Sequence, residues 1–126
     1  MALTVATDMT VAEAANETGV SSHTLRYYER AGLLRPVERN GSGHRRFSAE
    51  DVEWVVMITR FRATGMPIRM IREYAELVWE GEGNERERLA ILEAHREHVV
   101  EQLAQIEHNL ELIDYKVGLY RERLEG

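Results

Sequence analysis

Apolar residues in the first part of the chain recur at the three- and four-residue spacing of short amphipathic helices. Thr10 and Glu13 have the spacing of a capping box, which predicts a first helix that ends at Gly19. A second helix, capped by Ser21 or Ser22, is predicted to run to about Ala31, and Gly32 follows it as a residue suited to positive φ. Two short helices joined by a tight turn are typical of a helix-turn-helix.

The pattern then changes from helical to extended. Short strands are predicted over 37–39 and 44–47, and the glycine-rich turn 40–43 between them supplies the positive φ of a hairpin. Such a hairpin would be a wing beside the helix-turn-helix. Two further helices are predicted, one over about 48–64 and one that begins near Pro67.

A long helix is predicted for the last third of the chain. After the linker 81–84, the run from about 85 to 124 contains no proline and spans about 60 Å as a helix. Its apolar residues follow a 3-4 repeat that only Arg96 interrupts, and a single helix cannot bury such a stripe by itself. The seam therefore predicts a dimer through Leu89, Leu92, Val99, Leu103, Ile106, Leu110, Ile113, Val117 and Tyr120.

Charge is divided unevenly along the chain. The formal net charge is −6, from 16 basic and 22 acidic residues. Up to Arg72, however, 10 arginines and 8 acidic residues give a net of +2, and the remainder carries −8. Within 20–47, six arginines stand against two glutamates. A basic segment followed by an acidic helix is the asymmetry expected of a nucleic-acid-binding protein with a separate solvated element.

The sequence contains few residues or motifs that indicate a disulfide, a metal site or an enzyme. The absence of cysteine excludes disulfides, thiolate metal sites and thiol redox reactions. His95 and His98 stand one turn apart among glutamates, and we expect them on a solvated helix face rather than in a zinc site. Without a phosphate-binding loop or a nucleophile motif, we predict no enzyme and no cofactor. Residues 1–8 are expected to be a flexible leader of a cytoplasmic protein without a membrane anchor.

Several motifs together resemble a known family. The motifs are Gly19-Val20-Ser21, Thr24-Leu25-Arg26-Tyr27-Tyr28-Glu29, Gly32-Leu33-Leu34 and Gly43-His44-Arg45-Arg46-Phe47-Ser48. Over residues 9 to about 77 they closely resemble the DNA-binding domain of the MerR family of transcription regulators. The resemblance implies a mainly α fold, with a winged helix-turn-helix DNA-binding domain over 9–80 followed by a long dimerisation helix over 85–126 that pairs as an antiparallel coiled coil.

The resemblance also implies partners and a mechanism. A homodimer would bind double-stranded promoter DNA at a pseudo-palindromic operator and distort the promoter spacer so that RNA polymerase engages both promoter elements. Specificity would then come partly from the deformability of the DNA. The alternative is an effector-free dimeric DNA-binding protein, architectural or repressing.

Candidate DNA contacts lie on the second helix and on the wing. We expect Arg26 to reach a phosphate or a guanine edge, and one of two adjacent tyrosines to contact phosphate while the other packs inside. Wing residues alternate, so one arginine of the pair faces DNA. The full set of expected DNA-binding residues is His23, Thr24, Arg26, Tyr27, Tyr28, His44, Arg45 and Arg46.

The signal to which such a regulator would respond is a separate question. The C-terminal helix, notably Leu112-Ile113-Asp114-Tyr115-Lys116, is similar to the aldehyde-responsive branch of the family, but the chain lacks the cysteine on which that response depends. A pocket for a small apolar or aromatic effector is a second hypothesis, and plain core packing is its alternative. The residues expected to line it are Trp54, Met57, Met70, Tyr74 and Trp79.

Overall fold

The computed structural model describes residues 9–35 and 46–126, and within these ranges it contains five α-helices. The predicted leader 1–8 and most of the predicted wing, including His44 and Arg45, lie outside the described residues. The helices are α1 (Val11–Thr18), α2 (Ser22–Arg30), α3 (Ala49–Ala63), α4 (Ile68–Glu80) and α5 (Glu85–Glu125).

Local capping sets the start of two of these helices. The Thr10 hydroxyl accepts the backbone N–H of Glu13 at 3.1 Å, and the Glu13 carboxylate accepts the N–H of Thr10 at 2.9 Å. Ser48 and Asp51 form the same reciprocal pair at 3.1 and 2.9 Å at the start of α3. Each box satisfies N–H groups that have no partner inside the helix, and the predicted helix starts are confirmed.

The unit that ends at Arg88 is built around one apolar core. In it α1 packs against α2 and α3, and α3 packs against α4. Met9 and Phe47 exchange two backbone hydrogen bonds of 2.9 Å as an antiparallel bridge, which ties the start of the chain to the residue before α3. The buried apolar residues are Met9, Ala14, Leu25, Tyr28, Leu33, Leu34, Phe47, Val55, Ile58, Met66, Ile71 and Ala75.

The connection between α4 and α5 is more ordered than a plain linker. Asn84 is buried, and its side-chain amide donates to the Leu77 carbonyl at 2.8 Å. Glu85 begins α5 and accepts hydrogen bonds from backbone N–H groups, its own and that of Gly83, which lower the pKa of its carboxyl. Leu89–Gly126 is a compact unit of its own. Within the described ranges, no helix is long and apolar enough to cross a bilayer.

Candidate nucleic-acid interface

Helix α2 has one buried and one exposed face. Leu25 and Tyr28 are buried in the core. His23, Arg26 and Arg30 are exposed, and their spacing of three and four residues places them on a common side of the helix. The exposed side of α2 therefore carries two guanidinium groups and an imidazole.

The two adjacent tyrosines of α2 differ in burial. Tyr28 is 6% exposed, whereas Tyr27 is 43% exposed. Their ring centroids lie 6.2 Å apart with the planes inclined at 51°. Tyr27 is thus the exposed tyrosine, and Tyr28 contributes to the core.

Thr24 takes part in the cap of α2. Its backbone N–H donates to the Ser21 hydroxyl at 3.0 Å, and its hydroxyl oxygen accepts the Ser21 hydroxyl at 2.9 Å. Thr24 is half-buried. Of the residues expected on α2, His23, Arg26 and Tyr27 are the ones that the structure places together on the exposed side.

The C-terminal end of α2 is attached to both later helices of its unit. Gly32 has a φ of +78°, which permits a turn in which the Leu33 N–H donates to the Tyr28 carbonyl at 3.0 Å. The Trp54 indole N–H, on α3, donates to the Leu33 carbonyl at 2.7 Å. Arg72 Nε, on α4, donates to the Ala31 carbonyl at 2.9 Å. These two bonds attach the turn that ends α2 to α3 and α4.

Arg30 is a candidate contact that the sequence reasoning did not single out. It follows Arg26 by four residues, which is the spacing of neighbours on one helix face, and that spacing was the signal available. On the wing side, Arg46 is half-buried next to the bridged Phe47. His44 and Arg45 lie outside the described part of the chain, and their contact with DNA stays a prediction.

Two family models match the chain. The family model described as MerR HTH family regulatory protein matches residues 9–77, and a second, described as MerR, DNA binding, matches residues 52–114. The chain belongs to the MerR family. It is a DNA-binding transcription regulator with the MerR-type helix-turn-helix fold and a long C-terminal helix, as the sequence predicted.

Individual relatives extend the comparison along most of the chain. An uncharacterized HTH-type transcriptional regulator of Haemophilus influenzae is 35% identical over 113 residues, which cover 90% of this chain and 84% of the relative. The regulator AdhR of Bacillus subtilis is 39% identical over 74% of this chain and 66% of its own. The crystal structure of HiNmlR, a MerR family regulator lacking the sensor domain, bound to promoter DNA, matches with 35% identity, 91% coverage of both chains and a TM-score of 0.82.

The aromatic residues expected to line an effector pocket in this MerR regulator pack on one another. The Trp54 ring stacks on Tyr74 with centroids 6.3 Å apart and lies 5.9 Å from Trp79. Trp54 and Trp79 also line a cavity of about 160 Å³, which is smaller than sites for drug-sized ligands. Met57 and Met70 are half-buried and do not line this cavity. An effector pocket therefore stays a prediction.

The predicted dimer seam lies on the surface of α5. Seven of its residues are exposed by 41–63%, and Leu92 and Val99 are half-buried. Val100, Leu112 and Tyr115 are exposed apolar residues outside the seam that the prediction did not include. The exposed seam residues are Leu89, Leu103, Ile106, Leu110, Ile113, Val117 and Tyr120.

The two histidines of α5 are not equivalent. His95 is buried, whereas His98 is exposed, and their ring centroids lie 6.2 Å apart. Burial, and to a lesser extent the neighbouring His98, lower the pKa of His95. Among the described residues no group of three or more histidine, cysteine or acidic side chains could hold a metal ion. The expectation of a solvated face is therefore wrong for His95, which is buried.

Proposed function

We propose that this regulator binds promoter DNA as a homodimer, with α2 of each copy in the major groove. The observation that carries the proposal is the exposed side of α2, where four side chains share one helix face: His23, Arg26, Tyr27 and Arg30. The turn that ends this helix is hydrogen-bonded to α3 and α4. A B-form major groove is wide enough to admit an α-helix. The crystal structure of the 35% identical HiNmlR bound to promoter DNA supports promoter DNA as the ligand.

The exposed side chains of α2 can serve two roles, one in affinity for DNA and one in recognition of its sequence. A guanidinium can donate two hydrogen bonds to the O6 and N7 atoms of a guanine, which gives specificity, or it can neutralise phosphate, which gives affinity without sequence information. We assign guanine reading to Arg26 and phosphate contact to Arg30 and Tyr27. The arginines of the predicted wing, Arg45 above all, would add phosphate contacts on the flank.

The α5 seam would join the two copies. Two α2 helices related by a two-fold axis require an operator with two matching half-sites, about one helical turn of DNA apart. In this proposal the dimer acts in the cytoplasm on a promoter that RNA polymerase also binds, and it deforms the spacer between the promoter elements. An architectural protein without an effector would share the dimer but not the single operator.

Binding measurements on two arginine variants test the assignment. Fluorescence anisotropy would be recorded with a duplex selected from a random pool and with its scrambled counterpart, across a salt series. Arg26→Ala is expected to lose about 1–3 kcal/mol per half-site on the selected duplex and much less on the scrambled one. Arg30→Ala should weaken both duplexes equally and flatten the salt dependence. Arg121→Ala, at the far end of the chain, is the control and should bind like the parent. Parent-like binding by both α2 variants would contradict the proposal.

A further inference from the structure

Arg96 is the one charged residue among the seam positions of α5. In a heptad written with Leu89, Leu103, Leu110 and Val117 at position a, Arg96 also falls at a. The other half of the seam, position d, is apolar throughout: Leu92, Val99, Ile106, Ile113 and Tyr120. A charge inside an apolar seam is costly unless a partner of opposite charge meets it.

The direction of pairing follows from this position. In a parallel, in-register coiled coil, position a faces position a, so Arg96 would face the partner's Arg96 and two guanidinium groups would meet in the seam. In an antiparallel pair, position a faces position d, and the a residue is flanked by the partner's e residue. The charge pattern of this chain therefore favours the antiparallel arrangement.

Three antiparallel alignments set Arg96 opposite a d residue of the partner while overlapping much of the seam. Opposite the partner's Tyr120, Arg96 would be flanked by the partner's Arg121, a like charge. Opposite the partner's Ile106, it would be flanked by the partner's Glu107, but Val117, Tyr120 and Leu124 would extend beyond the partner's seam. The first of these alignments brings like charges together, and the second leaves part of the apolar seam unpaired.

The third alignment satisfies both conditions. Opposite the partner's Ile113, Arg96 is flanked by the partner's Asp114, an opposite charge. Every seam position from Leu89 to Tyr120 then faces another seam position. The two-fold axis falls between residues 104 and 105, next to the middle of the helix Glu85–Glu125.

We infer that Arg96 pairs with the partner's Asp114 and that this pair fixes the antiparallel alignment of the two α5 helices. The inference rests on the proposed homodimer. Arg96 and Asp114 are both exposed on the single chain, and so are available to a second copy. Glu93, one turn before Arg96 at position e, would face the partner's Asp114 as a like charge, and the guanidinium between the two carboxylates offsets that repulsion. A charged residue in a seam is a known device for specifying register.

Charge reversal on both sides of the pair tests the inference. Arg96→Glu and Asp114→Arg should each raise the dimer dissociation constant at least tenfold in analytical ultracentrifugation, because like charges meet twice per dimer. The double variant should restore dimerisation, and an equimolar mixture of the two single variants should form a heterodimer. Glu107→Arg is the matched control, since it makes the same change at position e one heptad earlier. Rescue of Arg96→Glu by Glu107→Arg instead of Asp114→Arg, or no rescue by either, would overturn the alignment.

Cysteine pairs give a second test that does not depend on the stability of charge variants. Because the chain contains no cysteine, any disulfide must join introduced cysteines, and each chosen pair faces across the dimer in one alignment only. Val99→Cys with Leu110→Cys should form disulfide-linked dimers on mild oxidation, whereas Val99→Cys with Val117→Cys should not. Crosslinking of the second pair alone, or of neither, would overturn the inference. A monomeric parent protein would refute the homodimer itself, so the two failures are distinguishable.

Discussion

At the scale of single residues, the position of α2 depends on contacts between residues far apart in sequence. Trp54 reaches back 21 residues to the Leu33 carbonyl, and Arg72 reaches back 41 residues to the Ala31 carbonyl. Both carbonyls belong to the turn that Gly32 makes possible with its positive φ. Two side chains from later helices thus hold the turn that ends α2, the helix proposed to contact DNA.

The Trp54 hydrogen bond can be removed while an aromatic ring is kept at the site. Trp54→Phe deletes the indole N–H and leaves the Leu33 carbonyl without that donor, so we expect a loss of about 1–2 kcal/mol in the free energy of unfolding. Urea denaturation at fixed protein concentration would measure the loss. Trp79→Phe makes the same change at a neighbouring ring of the aromatic cluster. Since the Leu33 carbonyl keeps its Trp54 donor in that variant, the loss in the free energy of unfolding should be smaller. Equal losses in the two variants would show that ring volume, not the hydrogen bond, stabilises the turn.

At the scale of helices, the sequence predicted the helix starts and ends that are set by capping residues close in sequence. The capping boxes at Thr10 and Ser48 and the glycine after α2 act within a few residues, so helix bounds could be read from spacing alone. The choice between Tyr27 and Tyr28 could not be read that way, because adjacent residues differ only in which one meets the core. The Met9–Phe47 bridge and the burial of His95 are also tertiary facts.

The buried histidine of α5 predicts a pH dependence of stability. The pKa of His95 is lowered in the folded chain, whereas in the unfolded chain it is near its ordinary value of 6.5. Below about pH 6.5 the unfolded state binds the proton more readily, so stability should fall as the pH drops from 6.5 towards the lowered folded pKa. His95→Gln should remove this part of the slope in urea unfolding between pH 7.5 and 5.5. His98→Gln, which changes an exposed imidazole, should keep it; an unchanged slope in His95→Gln would contradict the account.

At the scale of the whole molecule, the seam of α5 accounts for why the chain should be a dimer. Its apolar residues remain exposed on the single chain, and burying them in a two-stranded coiled coil is the arrangement that their 3-4 spacing favours. Ile106→Asp together with Leu110→Asp would place two charges in the seam, and we expect monomers in light scattering at micromolar concentration. Ala104→Asp, at a position outside the seam, should leave the dimer intact. A parent protein that scatters as a monomer would contradict the prediction.

The account as a whole claims that two copies of α2 read two related half-sites in promoter DNA. Hydroxyl-radical footprinting on a duplex selected by the protein tests this claim most directly. We predict two protected patches related by a two-fold axis and centred about 34 Å apart, both weakened together by Arg26→Ala. One patch alone, or diffuse protection that Arg26→Ala leaves unchanged, would contradict the dimeric, sequence-reading mode of binding.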